Sequence, residues 1–596
     1  MCSPVVHVVV CSKSLAGRAF VQSTFSFNRM TFEAKSKKLR PFAGAPLRVH
    51  FLSVHGTLFA LVLFASSLFA QGKTMYISKR YLNIPVARAS EMYVIQIQVD
   101  GVQRREFPVQ LAEHSPDYWI FIDVSEFRGQ TITLLGRSSQ AALDRIYQAD
   151  KIEGASSLYK ERNRPQFHFT AMRGWSNDVN GPIFYKGQFH LFWQAFPFGV
   201  KWDTGFMYWG HAVSKDLIHW QEMAPALMLD RLGSPWSGSS LVDHNNDGGW
   251  GKDALVLVYT AFDRHSQKQV QCIATSTDNG VTFTRYAGNP IVDSNREVGS
   301  NDTRDPKVFW YEPKKHWVMV LFEKDGMSFY TSTDLKAWMR KSHFNGLHEC
   351  PDFFELPIDG DPRQLKWILH GGSSSYFIGS FDGESFRAES PELHYAEGKN
   401  AHGDDALYAA QSFAEMPDGR RVQVAWGRIQ PEGMAFNQMM LFPTEFKLVT
   451  TRDGLRMRAT PIQEIKRLQR KPRVWSSLTT ADANQALKRA GSGPLDVRLK
   501  VTLEKNEELA IRYQGNTIAA INSAELENGR GSLEVLIDKA VAEIFVDGGA
   551  RYIVREIPTT PGAGLEVCLG KNASAIDRLE IFPMKSMWAA PEPSKR

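Results

Sequence analysis

"HAVSKDLIHW", His211–Trp220, is the stretch whose reading decides the fold. An alternating run leads into Ser214-x-Asp216, and Trp220 closes the line. Period-two alternation marks a half-buried strand, and a Ser-x-Asp pair after it is turn chemistry. The same line is written three more times. "IATSTDNGVTF" carries Ser276, Asp278 and Phe283; "FYTSTDLKAW" carries Ser332, Asp334 and Trp338; "FIGSFDGESF" carries Ser380, Asp382 and Phe386. A weaker fifth copy is "VTTRDGLRM", with Asp453. The copies recur at roughly 50–60-residue intervals, which points to propeller blades built of short strands. In each, an Asp turn joins the two outer strands of a blade and the aromatic anchors the second. Helix signals are sparse between residues 165 and 460. The expectation is an all-β chain with a β-propeller over residues 164–460.

The flanks read differently. Residues 72–163 hold alternating runs such as "MYVIQIQVDG" and "DYWIFIDVSEF", expected to form a small N-terminal β domain. Residues 461–590 give "LDVRLKVTL", "ELAIRYQG", "GSLEVLIDKAVAEIFVDGG" and "AIDRLEIF", evenly spaced strands that predict a C-terminal β-sandwich. "TPIQEIKRLQRKPRV", Thr460–Val474, links the two with one helical turn.

At 596 residues the chain is too long for one core. Its composition, 43% hydrophobic and 22% charged, is globular. The net charge of +6 misleads, because residues 1–71 carry eight Lys and Arg against Glu33 alone. The rest is close to neutral, so nucleic-acid binding has no electrostatic support there. Phe51–Gly72 is apolar and uncharged, follows a basic segment and ends in small residues. It reads as a signal-peptide h-region, so residues 1–71 are expected to be a leader, with a later start at Met30 as one explanation of its length. A secreted, periplasmic or cell-surface protein follows, off the membrane once cleaved. The alternative is an uncleaved anchor. Cys2, Cys11, Cys272, Cys350 and Cys568 are too scattered for a disulfide framework or a zinc site.

A propeller packs its innermost strands around an axis, so polar residues on those strands meet in one pocket. Three acidic motifs stand at that stage of their repeats. They are Asn177-Asp178 within "GWSNDVNG", Arg304-Asp305-Pro306 within "NDTRDPKVFW", and Glu349-Cys350-Pro351 within "LHECPDFFEL". Alone, Asn-Asp-x-Asn-Gly is good turn chemistry and Glu349 a solvated loop glutamate. His211 and His370 read as structural, and Cys350 as a small buried residue beside the acid.

These three motifs, in this order, resemble glycoside hydrolase family 32, the levanase, inulinase and invertase family. The likeness spans about residues 165–585, including "RPQFHFTAMRGW", "LYAAQSF" and "LIDKAVAEIFVDGG". It implies a five-bladed propeller followed by a β-sandwich, and a retaining glycosidase. By the resemblance, Asp178 is the nucleophile, Glu349 the general acid/base and Asp305 a transition-state stabiliser. Trp175, Asn177, Gln194, Trp202, Trp236, Ser237, Arg304 and Trp426 match sugar-contacting positions. The implied substrate is a fructan or sucrose-type carbohydrate. "GMAFNQMMLFPTEF", with the added N-terminal domain, resembles bacterial levanases and favours β-2,6 fructan over inulin or sucrose. No metal and no cofactor is called for, since carboxylates stabilise the fructosyl cation-like state. Ser176 and Val179 depart from the family's usual Met and Pro.

The chemistry suits those residue types. Retention needs one ionised and one protonated carboxyl about 5–5.5 Å apart. Repulsion among three carboxyls is expected to keep Glu349 protonated, with Arg304 offsetting part of it. An inverting propeller glycosidase of the arabinan-active kind and a non-catalytic glycan-binding propeller are the competing classes. The first lacks these motifs, and the second would show substituted acids.

Overall fold

The computed structural model describes residues 71–588 apart from 561, 563 and 571–574. The expected leader lies outside the described residues, except Gln71. Among the described residues no helix is long and apolar enough to cross a membrane.

The repeats fold as antiparallel quartets, in which each strand pairs with the next main strand in the chain. The first runs through Gly174–Val179, Gln188–Phe196, Tyr208–Ser214 and Trp220–Glu222. The second runs through Ser234–Asp243, Ala254–Asp263, Lys268–Ser276 and Thr284–Arg285. The third runs through Thr303–Tyr311, His316–Glu323, Gly326–Ser332 and Met339–Asn345. The fourth comprises Asp352–Ile358, Asp361–His370, Ser375–Phe381 and Phe386–Ala388. A fifth, Leu407–Ser412, Arg421–Gly427, Thr444–Thr451 and Gly454–Pro461, touches the fourth through the parallel pair Ile358–Leu448. The segment after the fifth quartet's second strand returns to the first, where Phe436 and Asn437 pair in parallel with Gly174 and Trp175.

The Asp turns explain why the repeats look alike. Asp216 Oδ1 accepts the amides of Ile218 and His219, and Asp334 Oδ1 those of Lys336 and Ala337. Asp278 and Asp382 cap their own turns in the same way. Each Asp bonds the backbone a few residues on and so holds the chain as it reverses. The residue after each Asp is left-handed: Leu217, Asn279 and Leu335 at φ 64° and Gly383 at 95°. A leucine there is uncommon and costs strain, which the capped turn sustains. Trp220 and Trp338 donate their indole N–H to the carbonyls of Leu217 and Leu335.

The N-terminal region forms a four-stranded and a three-stranded sheet. Their apolar core, with Ile84, Ile97 and Phe107, continues into Phe196 at the end of the first quartet's second strand and Phe198, Phe206 and Met207 of the long connection after it. The C-terminal region forms a seven-stranded and a three-stranded sheet that share one core, with Val497 and Ile544 from one and Ile511 and Ile521 from the other. The larger sheet takes in Ala396–Glu397, well before the boundary expected at 460. The linker's helical turn is Gln463–Arg467. One helix, Thr480–Ala490, falls where only strands were expected; Thr479 caps it by accepting the Asp482 amide.

A buried histidine ties the segment before the first quartet to this region. His168 lies between Asp538 (3.0 Å) and Glu543 (2.6 Å), all three fully buried. Asp538 also accepts the amides of Gln166 and Phe167, and Glu543 that of Phe442. Burial alone would push the imidazole down, but the two carboxylates override it and carry the pKa up to about 9.

Candidate active site

The first strands of the quartets deliver the site. Asp178 stands on the first strand of the first quartet, and Ser237 on that of the second. Asp305 stands on that of the third, and Tyr408 on that of the fifth. Glu349 sits just ahead of the fourth, which begins at Asp352. All eleven residues singled out from the sequence line one cavity of about 480 Å³: Trp175, Asn177, Asp178, Gln194, Trp202, Trp236, Ser237, Arg304, Asp305, Glu349 and Trp426.

Asp178 is held at both oxygens. Ser237 Oγ donates to Oδ2 at 2.7 Å and Asn177 Nδ2 to Oδ1 at 3.1 Å. Trp175 Nε1 in turn donates to Asn177 Oδ1 at 3.1 Å, which fixes that amide. Glu349 is clamped by Arg304, with Nη2 and Nε donating to Oε1 at 2.7 and 3.2 Å, while the Tyr408 hydroxyl donates to Oε2 at 2.8 Å. Asp305, 4% exposed, accepts the Cys350 amide at 3.0 Å. The Cys350 thiol lies 3.6 Å from Asp178 Oδ2 and 3.5 Å from Asp305 Oδ2. Cys350 thus sits between the acids rather than beside one of them. Burial and the surrounding carboxylates hold its thiol well above the usual range, so it stays neutral.

The backbone here is strained. Asp305, Glu349 and Cys350 have φ of 64°, 51° and 43°, a region non-glycine residues seldom occupy. Such outliers concentrate where a fold holds side chains in place for chemistry.

The electrostatics correct one expectation. Glu349 was expected to keep its proton. Burial does push it up, but the Arg304 guanidinium and the Tyr408 hydroxyl outweigh burial and hold it below the usual carboxylate range. Burial instead drives Asp305 up to about 7, helped by the charges of Glu349 and Asp178 and opposed by Arg304, whose nearest nitrogen is 3.9 Å away. Asp178 is also raised, first by burial and then by Glu349, with the Ser237 and Asn177 hydrogen bonds opposing. Burial thus favours the protonated form of Asp305 and Asp178, and Arg304 favours the charged form of Glu349.

The aromatic residues divide by position. Trp202, 58% exposed, forms the rim. Trp236 stacks on Phe262 at 4.0 Å and donates to the Thr204 carbonyl. Trp426 is buried, edge-on to Trp175 and Tyr408, and donates to Gln438. Gln194 is buried and bonds the Pro235 carbonyl, so one amide N–H is committed to the scaffold. The sequence reading passed over Tyr408, Arg428 and Gln438, which also line the cavity. Tyr408 lies in "LYAAQSF", on a first strand without an acidic motif, where strand position alone was the available signal. His211 and His370 are buried away from this cavity, as structural residues should be.

The Glycosyl hydrolases family 32 N-terminal domain matches residues 168–459. A levanase of Bacillus subtilis (strain 168) is 36% identical over 500 residues, 73% of this chain and 72% of that protein. Invertase 1 of Saccharomyces cerevisiae is 32% identical over 458 residues, covering 68% and 82%. The crystal structure of an exo-inulinase from Aspergillus awamori matches with a TM-score of 0.62 at 25% identity, over 72% of this chain and 100% of that one.

Proposed function

The chain belongs to glycoside hydrolase family 32, and on that footing we propose how its cavity works. The protein is a glycosidase acting on β-fructofuranosides. Asp178 attacks the anomeric carbon of a terminal fructosyl unit while Glu349 passes its proton to the departing oxygen. The glycosidic bond breaks, and an ester joins the sugar to Asp178. Glu349, now a carboxylate, takes a proton from water, and that water oxygen displaces Asp178. Asp305 binds sugar hydroxyls and stabilises the positive charge that develops on the sugar in the transition state of each step.

Glu349 must gain a proton before the first step. A sugar hydroxyl that engages Arg304 draws the guanidinium off Glu349, and the loss of water lets burial raise that carboxyl. The observation that carries this reading is the convergence at Cys350. One residue follows Glu349 in the chain, gives its amide to Asp305 and places its sulfur against Asp178.

Levan is the substrate placed first, supported by the levanase relatives, with inulin and sucrose next. Secretion rests on the apolar run at Phe51–Gly72. The five quartets are read as blades of a propeller, residues 461–590 as a β-sandwich, and residues 72–163 as a buttress. The buttress reading is supported by Phe198 and Phe206, which pack into the N-terminal core from the same connection that carries Trp202. Incubation with levan, inulin and sucrose, followed by product sizing, tests the activity. Free fructose alone signifies exo action and short oligomers endo action; no release from any of the three overturns the reading.

A further inference from the structure

A second cavity, of about 550 Å³, lies at the other end of the same strands. On Thr303–Tyr311, Arg304 and Asp305 face the first cavity while Lys307 to Trp310 line the second. On Ser234–Asp243, Trp236 and Ser237 face the first and Ser240 to Val242 the second. Trp426 and Arg421 divide the strand Arg421–Gly427 in the same way. The two linings share no residue, and on Arg421–Gly427 the five-residue step from Arg421 to Trp426 spans roughly 17 Å, so the two cavities are separate places.

The walls are aromatic. Phe353 stacks on Trp367 at 4.5 Å, Phe309 leans on Trp367 at 5.5 Å, and Trp310 meets Trp317 at 5.2 Å. The cations are the informative part. Lys307 is taken by Asp352 at 2.8 Å, and His244 by Asp253 and Glu415. Arg421 lies over the Phe354 ring at 4.9 Å and feels the charges of Asp352 and Glu355, but among the described residues its guanidinium makes no direct hydrogen bond or ion pair. A guanidinium carries five N–H donors, and those of Arg421, which is partly exposed, are open to a ligand in the cavity. Glu312, Glu355 and Glu415 supply acceptors around the same cavity. Glu312 is taken by Lys315 and the Trp310 indole, and Glu415 by His244, so Glu355 is left to balance Arg421 and the lining has no excess positive charge to draw an anion. Indole faces, in-plane donors and carboxylates together suit the C–H faces and hydroxyls of a neutral sugar, in a cavity of small-ligand size.

We propose that this cavity is a second carbohydrate site, which takes a neutral fructosyl oligosaccharide and holds it away from the acids. Arg421 and Glu355 bind its hydroxyls, and Trp310 and Trp367 cover its faces. The choice of sugar rests on the function proposed above. The gain is tethering: a chain held here raises the local concentration of fructan ends at the opposite mouth.

Calorimetric titration of 1-kestose into the full-length Asp178→Asn protein tests the proposal, since that variant does not consume the probe. Two sites per chain are expected, falling to one in Arg421→Met and in Trp310→Ala made on the same background. Trp310 is a partly exposed wall residue, so its variant guards against a folding defect in the other. Sucrose turnover by the two single variants of the active protein should stay within twofold of the parent. A single site per chain, or two sites that survive both substitutions, overturns the proposal. Absence of turnover in the parent protein would instead strike the proposed function and leave the stoichiometry to be read by itself.

Discussion

Asp305 and Asp352 are buried to almost the same degree, 4% and 2% exposed, and lie on neighbouring quartets, yet their charges are managed in opposite ways. Burial pushes both up. For Asp352, Lys307 at 2.8 Å outweighs it, helped by His370 and Arg421, and the carboxyl is held below its ordinary range. For Asp305 the nearest cation is 3.9 Å away and already clamped on Glu349, so the pKa goes up to about 7. Burial sets the cost of a charge, and the geometry of the nearest cation decides whether that cost is met. A carboxylate with its own lysine is scaffold; one left to share an arginine with two other acids can exchange a proton.

Substitutions separate the two kinds of site. Asp178→Asn should reduce kcat on sucrose by on the order of 10⁴ or more, as loss of a nucleophile does, with Tm nearly unchanged. Glu349→Gln should cost roughly 10²–10⁴ in kcat, and less on a fructoside whose leaving group needs no proton. Lys307→Met should do the reverse. It strands Asp352 as a lone buried charge, at about 3–5 kcal/mol of stability by denaturant unfolding, with kcat of the surviving fold intact. If Lys307→Met lowers kcat as far as Glu349→Gln does, the division between scaffold and site is wrong.

The pH dependence sharpens the comparison. A folded pKa above the unfolded value of an aspartate means that Asp305 costs stability as pH rises from about 4 to 7. Asp305→Asn should therefore raise Tm at neutral pH while lowering kcat. The buried His168 has the opposite sign. Its stabilisation is complete below about 6.5 and is lost as pH rises through about 9, so thermal scans across that window should show a falling Tm that His168→Gln abolishes. Smallest of all, Trp202→Ala should raise KM by about 1 kcal/mol in binding and leave kcat alone, because the ring stands at the rim.

Repeats were legible because each Asp turn is local: the carboxylate caps amides two to four residues away, so the signal lies within one line of sequence. The acids were legible as motifs, and their strand positions followed from the repeat. What could not be read was any relation between quartets. The Arg304 clamp on Glu349 spans 45 residues and exists only because the third and fourth first strands lie side by side. Without that distance, repulsion alone was weighed for Glu349, and the pull of Arg304 toward its charged form was underestimated. The helix Thr480–Ala490 was hidden for a different reason. Its Thr479 cap and Gly491 stop were present in the sequence, but strands on both sides drew the reading toward sheet. The left-handed Leu217 and Leu335 carried no local signal, since leucine does not announce a positive φ.

The account stands on Asp178 forming a bond to the sugar. Rapid-quench mass spectrometry of the Glu349→Gln protein with an activated fructoside reads this directly. The account predicts a peptide containing Asp178 that is heavier by one fructosyl unit, and a first product that keeps the anomeric configuration of the substrate. An unmodified Asp178 peptide together with an inverted first product would contradict it.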